Sequence, residues 1–169
     1  MLSDRQLTHL FGNPVFVGTI LQYTSMLEYD IDCLLALYIS RPDRVDFVLD
    51  VVLPELTFNR KLEVFKQLPL KHTKAHGATI VALRGFQRVR NVAAHRWTVS
   101  VTTLRQLLQD QHVRPLFTDF PKSLHANFSL TRRRLTRLRG SKAFGVDART
   151  ASKDMDTRTL LKVLSDSAA

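Results

Sequence analysis

Apolar residues spaced three or four positions apart, in runs bounded by prolines and capping residues, recur along most of this chain. The longest run follows Asn13 and Pro14 and continues to Ile39, which predicts one long α-helix with Asn13 as its N-cap. Thr57 is placed to cap a later helix. The same signals predict further helical segments over 43–53, 57–69, 75–94, 103–111, 122–139 and 156–165.

One stretch alternates instead, Trp97–Val101, which is the pattern of a short strand. A sheet-based fold has little further material, so we expect an all-α protein. Two glycines and polar residues interrupt the helical pattern over Gly140–Gly145, which predicts a linker. We therefore expect a helical bundle domain over 1–139, including a late basic helix, and a linker with a C-terminal tail helix over 140–169.

The composition fits one globular domain with a short appendage. The chain has 169 residues, 44% hydrophobic and 24% charged, which is enough to bury a core without disulfides or structural metal. The lone Cys33 precedes Leu34 and Leu35, so we interpret it as a small buried apolar residue of a reducing, cytoplasmic protein. The N-terminus does not resemble a secretory signal, and no apolar run is long enough to span a bilayer.

A formal charge of +10 favours an anionic partner, nucleic acid first. The charge is concentrated in residues 130–150, which hold seven basic residues and one acidic residue. The candidates for contact with RNA phosphates in this segment are Arg132, Arg133, Arg134 and Arg137. A merely solvated face is an equally valid interpretation of such a charge run.

The candidate chemistry lies on the fourth predicted helix. At about 100° per residue, one stripe of this helix is apolar and forms the core face, consisting of Ala82, Phe86, Val89 and Ala93. The opposite side carries a polar ridge formed by Arg84, Arg88, Asn91 and His95. Arg90 lies at the flank of this ridge. So much positive charge on one helix predicts a bound anion or a neighbouring carboxylate.

The stretch Leu83–His95 resembles the signature helix of the HEPN superfamily, in which an arginine, usually followed by a polar residue, precedes a histidine by four to six positions. Here these residues are Arg90, Asn91 and His95. The segment Leu56–Leu62 resembles the preceding helix start in HEPN-like proteins related to the mannitol repressor.

The resemblance implies a four- or five-helix up-and-down bundle that forms a homodimer with two signature helices facing one cleft. It further implies a metal-independent endoribonuclease, a toxin or defence effector without metal or cofactor, that cleaves RNA through its 2′-OH. His95 would act as acid and base, Arg90 would hold the phosphate, and Asn91 would orient the phosphate or His95 by hydrogen bonding. Arg84 and Arg88 would contact RNA, and an antitoxin or regulatory protein is an expected partner.

Two other functions stay open from the sequence. Many HEPN-like proteins are non-catalytic, so the chain is alternatively a regulator resembling the mannitol repressor, which binds protein or nucleic acid through its dimer face. In that case His95 only terminates its helix, and Arg90 pairs with Glu28 or Asp32 of the first long helix. A third class is an adaptor whose basic segment binds anionic surfaces.

Other chemistries have little support in the sequence. His72 and His76 have the spacing of two metal ligands on a helix, but no glutamate follows His72, and flanking lysines would repel a cation. The chain contains neither a glycine-rich phosphate loop nor a serine-hydrolase elbow. A helical stripe on the first long helix is expected to belong to the core or to a dimer interface; it consists of Tyr23, Met26, Tyr29 and Cys33.

Overall fold

The computed structural model describes residues 3–68 and 74–144, and this part of the chain is all-helical, without a strand. The all-α prediction is therefore confirmed. Eight helices are present in it: α1 Asp4–Gly12, α2 Pro14–Ile39, α3 Val45–Phe47, α4 Phe58–Gln67, α5 Lys74–Ala94, α6 Val101–Gln109, α7 Arg114–Phe117 and α8 Lys122–Phe144. None of them is long and apolar enough to cross a membrane.

The N-terminal helix α1 was not predicted, although its start carries a local signal. The hydroxyl of Ser3 accepts from the backbone of Gln6, whose own side chain accepts from the backbone of Ser3, and this reciprocal capping box stabilises the first turn. Asn13 ends α1 and at the same time caps α2, where its side chain accepts from Val15 at 2.8 Å. The predicted long helix from Pro14 to Ile39 is confirmed.

Helix α2 is the centre of the bundle, and it packs chiefly against α5 and α8. Its buried residues include Ile20, Leu27 and Ile31. Two members of the predicted stripe behave differently. The ring of Tyr23 stacks on Phe128 of α8 at 3.8 Å, whereas Tyr29 is exposed.

Cys33 is half-buried, not buried as its leucine neighbours suggested. A hydrogen bond with Cys33 raises the pKa of Tyr29. The predicted stripe on α2 is therefore not part of the core at Tyr29 and Cys33.

The predicted helix over 43–53 is an irregular helical segment instead. It consists of a 3₁₀ turn Pro42–Arg44, the short α3, a π-helical turn Val48–Val52 and a second 3₁₀ turn Leu53–Glu55. Proline at each end and four β-branched valines disfavour a regular α-helix. Leu53 is its one buried residue within 42–55, so tertiary packing does little to regularise the segment.

Helices α4 and α5 confirm the predicted N-cap and the predicted core face. The Thr57 hydroxyl accepts from the backbone of Arg60 at the start of α4. The predicted core stripe of α5 is buried as expected, at Ala82, Phe86, Val89 and Ala93. The same helix carries a buried glycine, Gly85, whose Cα faces the backbone of His112.

Gly85→Ala is expected to destabilise the protein, whereas Gly77→Ala on the same helix is expected to stabilise it. A Cβ at position 85 would overlap the carbonyl group of His112, which is backbone and cannot rotate away; such overpacking costs about 2 kcal/mol. A Cβ at position 77 would meet nothing within 4 Å, and alanine gains up to about 1 kcal/mol over glycine in a helix. Urea unfolding should give shifts of opposite sign; equal shifts would contradict this packing.

The strand predicted at Trp97–Val101 is wrong. Arg96–Thr98 forms a 3₁₀ turn, and Ser100 caps α6 by accepting from the backbone of Thr103 at 3.2 Å. A lone strand would leave its backbone groups without partners, whereas the serine cap lets the chain enter a helix at once. Helix α6 therefore begins at Val101, two residues before the predicted start.

Helix α8 continues through Gly140 to Phe144, past the point at which the linker was expected to begin. Gly140 is buried, and a residue without a side chain suits a packed position within the helix. The remainder of the predicted linker, the tail helix over 156–165 and His72 lie outside the described residues.

Candidate nucleic-acid interface at the end of helix α5

Arg84 and Arg88 of the predicted ridge are held by carboxylates of the protein itself. Arg84 donates to Glu63 of α4 at 2.8 Å, and Arg88 forms an ion pair with Asp110 at the end of α6. The negative charge expected beside this arginine-rich helix is thus supplied in part by Glu63 and Asp110 of the bundle itself. Burial, and then the charges of Arg88 and Arg84, lower the pKa of nearby His112.

The signature residues Arg90, Asn91 and His95 are all exposed. Within residues 3–68 and 74–144, no carboxylate lies at ion-pair distance from Arg90 or His95. Arg90 donates to the amide oxygen of Asn91 across 3.5 Å, which gives the asparagine a partner inside a helix. All three side chains are therefore accessible to a ligand at the carboxyl end of α5, and Arg90 and Asn91 contact each other.

His95 lies one residue beyond the last residue of α5. Its backbone N–H is shared between the carbonyls of Asn91 and Val92, at 3.3 and 3.2 Å. Its own carbonyl accepts from the backbone and from the hydroxyl of Thr98, both at 3.0 Å. The backbone of His95 is thus fixed on both sides, while its imidazole faces solvent.

The carboxylates that the alternative interpretation assigned to Arg90 are occupied elsewhere. Lys61 of α4 donates to Glu28 at 2.9 Å and to Asp32 at 2.8 Å, and its side chain is only 4% exposed. Burial raises the pKa of Asp32, although the hydrogen bond from Lys61 opposes this. Burial alone would lower the pKa of Lys61, but its two carboxylate partners outweigh burial and raise it. Glu28 and Asp32 thus anchor α4 to α2 through Lys61.

An open groove of about 310 Å³ runs beside the ridge, between α5 and α6. Its lining is mixed polar and apolar and consists of Arg88, Asn91, Val92, Thr103, Gln106, Leu107 and Asp110. Asn91 is the signature residue that lines it. Asn91 is therefore the point at which the groove borders the signature residues. The arginine that lines the groove, Arg88, is paired with Asp110.

Trp97 follows the signature histidine by two residues and is 84% exposed. The guanidinium carbon of Arg96 lies 4.4 Å from the centre of its ring, which is a cation–π contact. The Nε of Arg96 is buried and has no hydrogen-bond partner among the described residues. The arginine is therefore positioned by the indole and by packing at this turn.

The late arginines divide into two groups. Arg132 donates to Asp30 of α2 at 3.2 Å, and Arg139 lies 3.8 Å from the same carboxylate, whose side chain is 4% exposed. Burial raises the pKa of Asp30, although both arginines act in the opposite direction. The remaining members of the predicted RNA-binding set have no carboxylate partner among the described residues: Arg133, Arg134 and Arg137.

Arg132→Gln is expected to affect stability, whereas Arg133→Gln is expected to affect RNA binding. Loss of Arg132 leaves Asp30 with a weaker cationic partner and should lower the free energy of unfolding by about 1–2 kcal/mol. Arg133 is exposed, so its loss should change stability by less than about 0.5 kcal/mol but should reduce the salt dependence of RNA binding by about one unit of slope. A changed slope with unchanged stability for Arg132→Gln would contradict this division.

Two important residues were missed from the sequence. Lys61 falls on the apolar stripe of α4 between Phe58 and Leu62, and a lysine at a core position is a signal of a buried ion pair. Trp97 was assigned to a strand, although a single tryptophan next to a histidine and an arginine is also typical of a nucleic-acid contact.

Neither known proteins nor metal-ligand chemistry assigns a function to this site. No protein-family model, curated protein or solved structure matches the chain. Among the described residues, no group of three or more histidine, cysteine or acidic side chains could hold a metal ion. His76, one of the two histidines considered as ligands, is buried against the ring of Phe65 at 5.2 Å.

Proposed function

We propose that this protein is an RNA-binding bundle of the HEPN type, and that the carboxyl end of α5 cleaves RNA without a metal ion. One observation carries the proposal: Arg90, Asn91 and His95 are each exposed near the end of the same helix, and neither Arg90 nor His95 has a carboxylate partner among the described residues. An exposed arginine beside a hydrogen-bonding amide suits a phosphate. The HEPN-like order of these residues supports the same assignment.

The chemistry assigned to the site is intramolecular attack of an RNA 2′-OH on the adjacent phosphate. His95 transfers the proton, because histidine is the side chain that most often serves as a general acid or base. Arg90 presents a planar pair of donors to the phosphate and stabilises the charge that develops on it. Asn91 orients the phosphate or the arginine. DNA lacks the nucleophile and is therefore bound without being cleaved.

The site is proposed to be completed across a two-fold dimer. Arg90 and His95 are five positions apart, so their directions around the axis of α5 differ by about 140°. One chain also supplies one signature histidine, whereas cleavage benefits from both an acid and a base. A partner related by a two-fold axis would contribute the second set. Sedimentation at micromolar concentration should therefore show a dimer, and a monomer would count against this arrangement.

The non-catalytic regulator is the second candidate, and a specific observation favours it. His95 lies at the carboxyl end of α5, where its backbone ends one helix and begins a turn, which is also what a purely structural residue would do. Arg84 and Arg88 are engaged by carboxylates. In this function the same exposed surface binds RNA or protein without chemistry.

Incubation of the full chain with single-stranded RNA in chelator distinguishes the two functions. The nuclease should release fragments that end in a 2′,3′-cyclic phosphate or its hydrolysis product, and single-stranded DNA of the same sequence should remain intact. RNA that is bound but stays intact across pH values and substrates would assign the regulator function instead. RNA that neither binds nor breaks would contradict the RNA-directed proposal as a whole.

A further inference from the structure

Trp97 presents a large aromatic surface to solvent at the proposed RNA site. It is the one tryptophan of the chain and is 84% exposed. Burial of such a ring is among the largest apolar contributions a side chain can make, yet the bundle leaves it outside the core. The exposed ring therefore needs a physical account beyond packing.

The turn that carries Trp97 is fixed relative to His95. Thr98 donates twice to the carbonyl of His95, and Val99 donates to that of Arg96 at 3.4 Å. Two residues span at most about 7 Å, so the indole stays near the signature histidine. A ligand that reaches one of these side chains is within reach of the other.

Arg96 occupies one face of the indole, since its guanidinium carbon lies 4.4 Å from the ring centre. The high exposure of Trp97 leaves most of the opposite face open to solvent. A cation on one face and an open second face form an aromatic platform that accepts a flat ligand. The positive charge of Arg96 and Arg90 favours a ligand that carries phosphates.

We propose that Trp97 is a stacking platform for one nucleobase of single-stranded RNA, next to the phosphate held at Arg90 and His95. This inference rests on the proposed function and specifies its substrate as unpaired RNA. Bases in a duplex are stacked on one another and do not offer a free face, whereas an unpaired base can stack on an indole whatever its identity. Trp97 thus selects for single strands and contributes binding without taking part in proton transfer.

Because the chain has a single tryptophan, fluorescence excited at wavelengths that tyrosine does not absorb reports on position 97 alone. The full chain is titrated with an unlabelled 2′-O-methyl 12-mer, which cannot be cleaved by 2′-OH attack, and binding is followed separately by the anisotropy of a fluorescein-labelled copy. We expect quenching with the same midpoint as the anisotropy change. The duplex of the same sequence should give no quenching.

Variants test the energetic contribution of the platform. Trp97→Ala should raise the Kd of the 12-mer about 10- to 100-fold, and Trp97→Phe, which keeps an aromatic face, should recover most of this loss. The control is Phe47→Ala, which removes another exposed ring, on α3; its Kd should not change. Circular dichroism should show that all three variants keep the helical content of the parent.

The failure of this inference is distinguishable from that of the proposed function. An anisotropy change without quenching, together with an unchanged Kd for Trp97→Ala, would overturn the platform while RNA binding stands. No anisotropy change at all would overturn RNA binding itself. A shift of Trp97→Ala from dimer to monomer in sedimentation would overturn the platform too, because it would assign the indole to a subunit contact.

Discussion

His95→Ala is expected to lower the rate of RNA cleavage by about 10²- to 10⁴-fold, the typical contribution of a proton-transfer group. The imidazole is exposed and lies beyond the last residue of α5, so its removal should leave the bundle folded. Arg90→Ala should cost about 10²- to 10³-fold, as the loss of one donor to a developing charge does. Fragment yields from single-stranded RNA in chelator measure both effects.

The matched control is His9→Ala, which removes an exposed histidine from α1. Its cleavage rate should equal that of the parent, and all three variants should keep the sedimentation behaviour of the parent. If the nuclease acts as a toxin, expression of the parent should also slow growth, and His95→Ala should relieve this. A His95→Ala variant that cleaves as fast as the parent would remove the nuclease assignment and leave the regulator.

Lys61→Met is expected to lower the free energy of unfolding by about 3 kcal/mol at neutral pH, because it leaves two carboxylates without their shared buried cation. Methionine keeps most of the side-chain volume, so the effect reports charge more than packing. Glu28 and Asp32 would then repel each other across the junction of α2 and α4. Urea unfolding at two pH values measures the loss.

The loss should shrink as the pH falls. Burial already raises the pKa of Asp32, and removal of Lys61 takes away the group that opposes this shift. A carboxyl group whose pKa is raised in the folded state binds its proton more tightly there than in the unfolded chain, so protonation favours folding. The variant should therefore be more stable at acid pH and lose this stability as the pH rises to neutrality. Lys66→Met, on the exposed side of the same helix, is the control and should behave like the parent. Equal losses at pH 4.5 and pH 7 would contradict the charge explanation.

Elements with local signals could be predicted from the sequence. Asn13 before a proline and Thr57 before an apolar run each place a side-chain acceptor on a helix start, and those helices begin where expected. The alternation at Trp97–Val101 was misleading, because Ser100 caps a helix and the described part of the chain contains no strand with which this stretch could pair. In the irregular segment before α4, prolines and valines disfavour a regular helix. The spacing of the apolar residues, on which the prediction rested, does not take this into account.

The candidate site was predictable as a helix face but not as a set of contacts. The apolar stripe of α5 faces the core as expected, and its signature residues are exposed as expected of a site. The partners of its arginines come from other helices, since Glu63 lies 21 residues before Arg84 and Asp110 ends α6. Pairings of this kind depend on how helices are arranged in space, and one sequence does not encode them in any local pattern.

The anchoring of α8 on α2 has a consequence for synthesis of the chain. Asp30 and Arg132 are 102 residues apart, and so are Tyr23 and His125, which share a 2.8 Å hydrogen bond. At roughly 5–20 residues per second, a ribosome needs on the order of 5–20 s to deliver the second member of each pair after the first. During this interval the nascent bundle displays an unneutralised acid and an uncovered aromatic ring, so chaperone engagement is expected to end only when α8 has emerged.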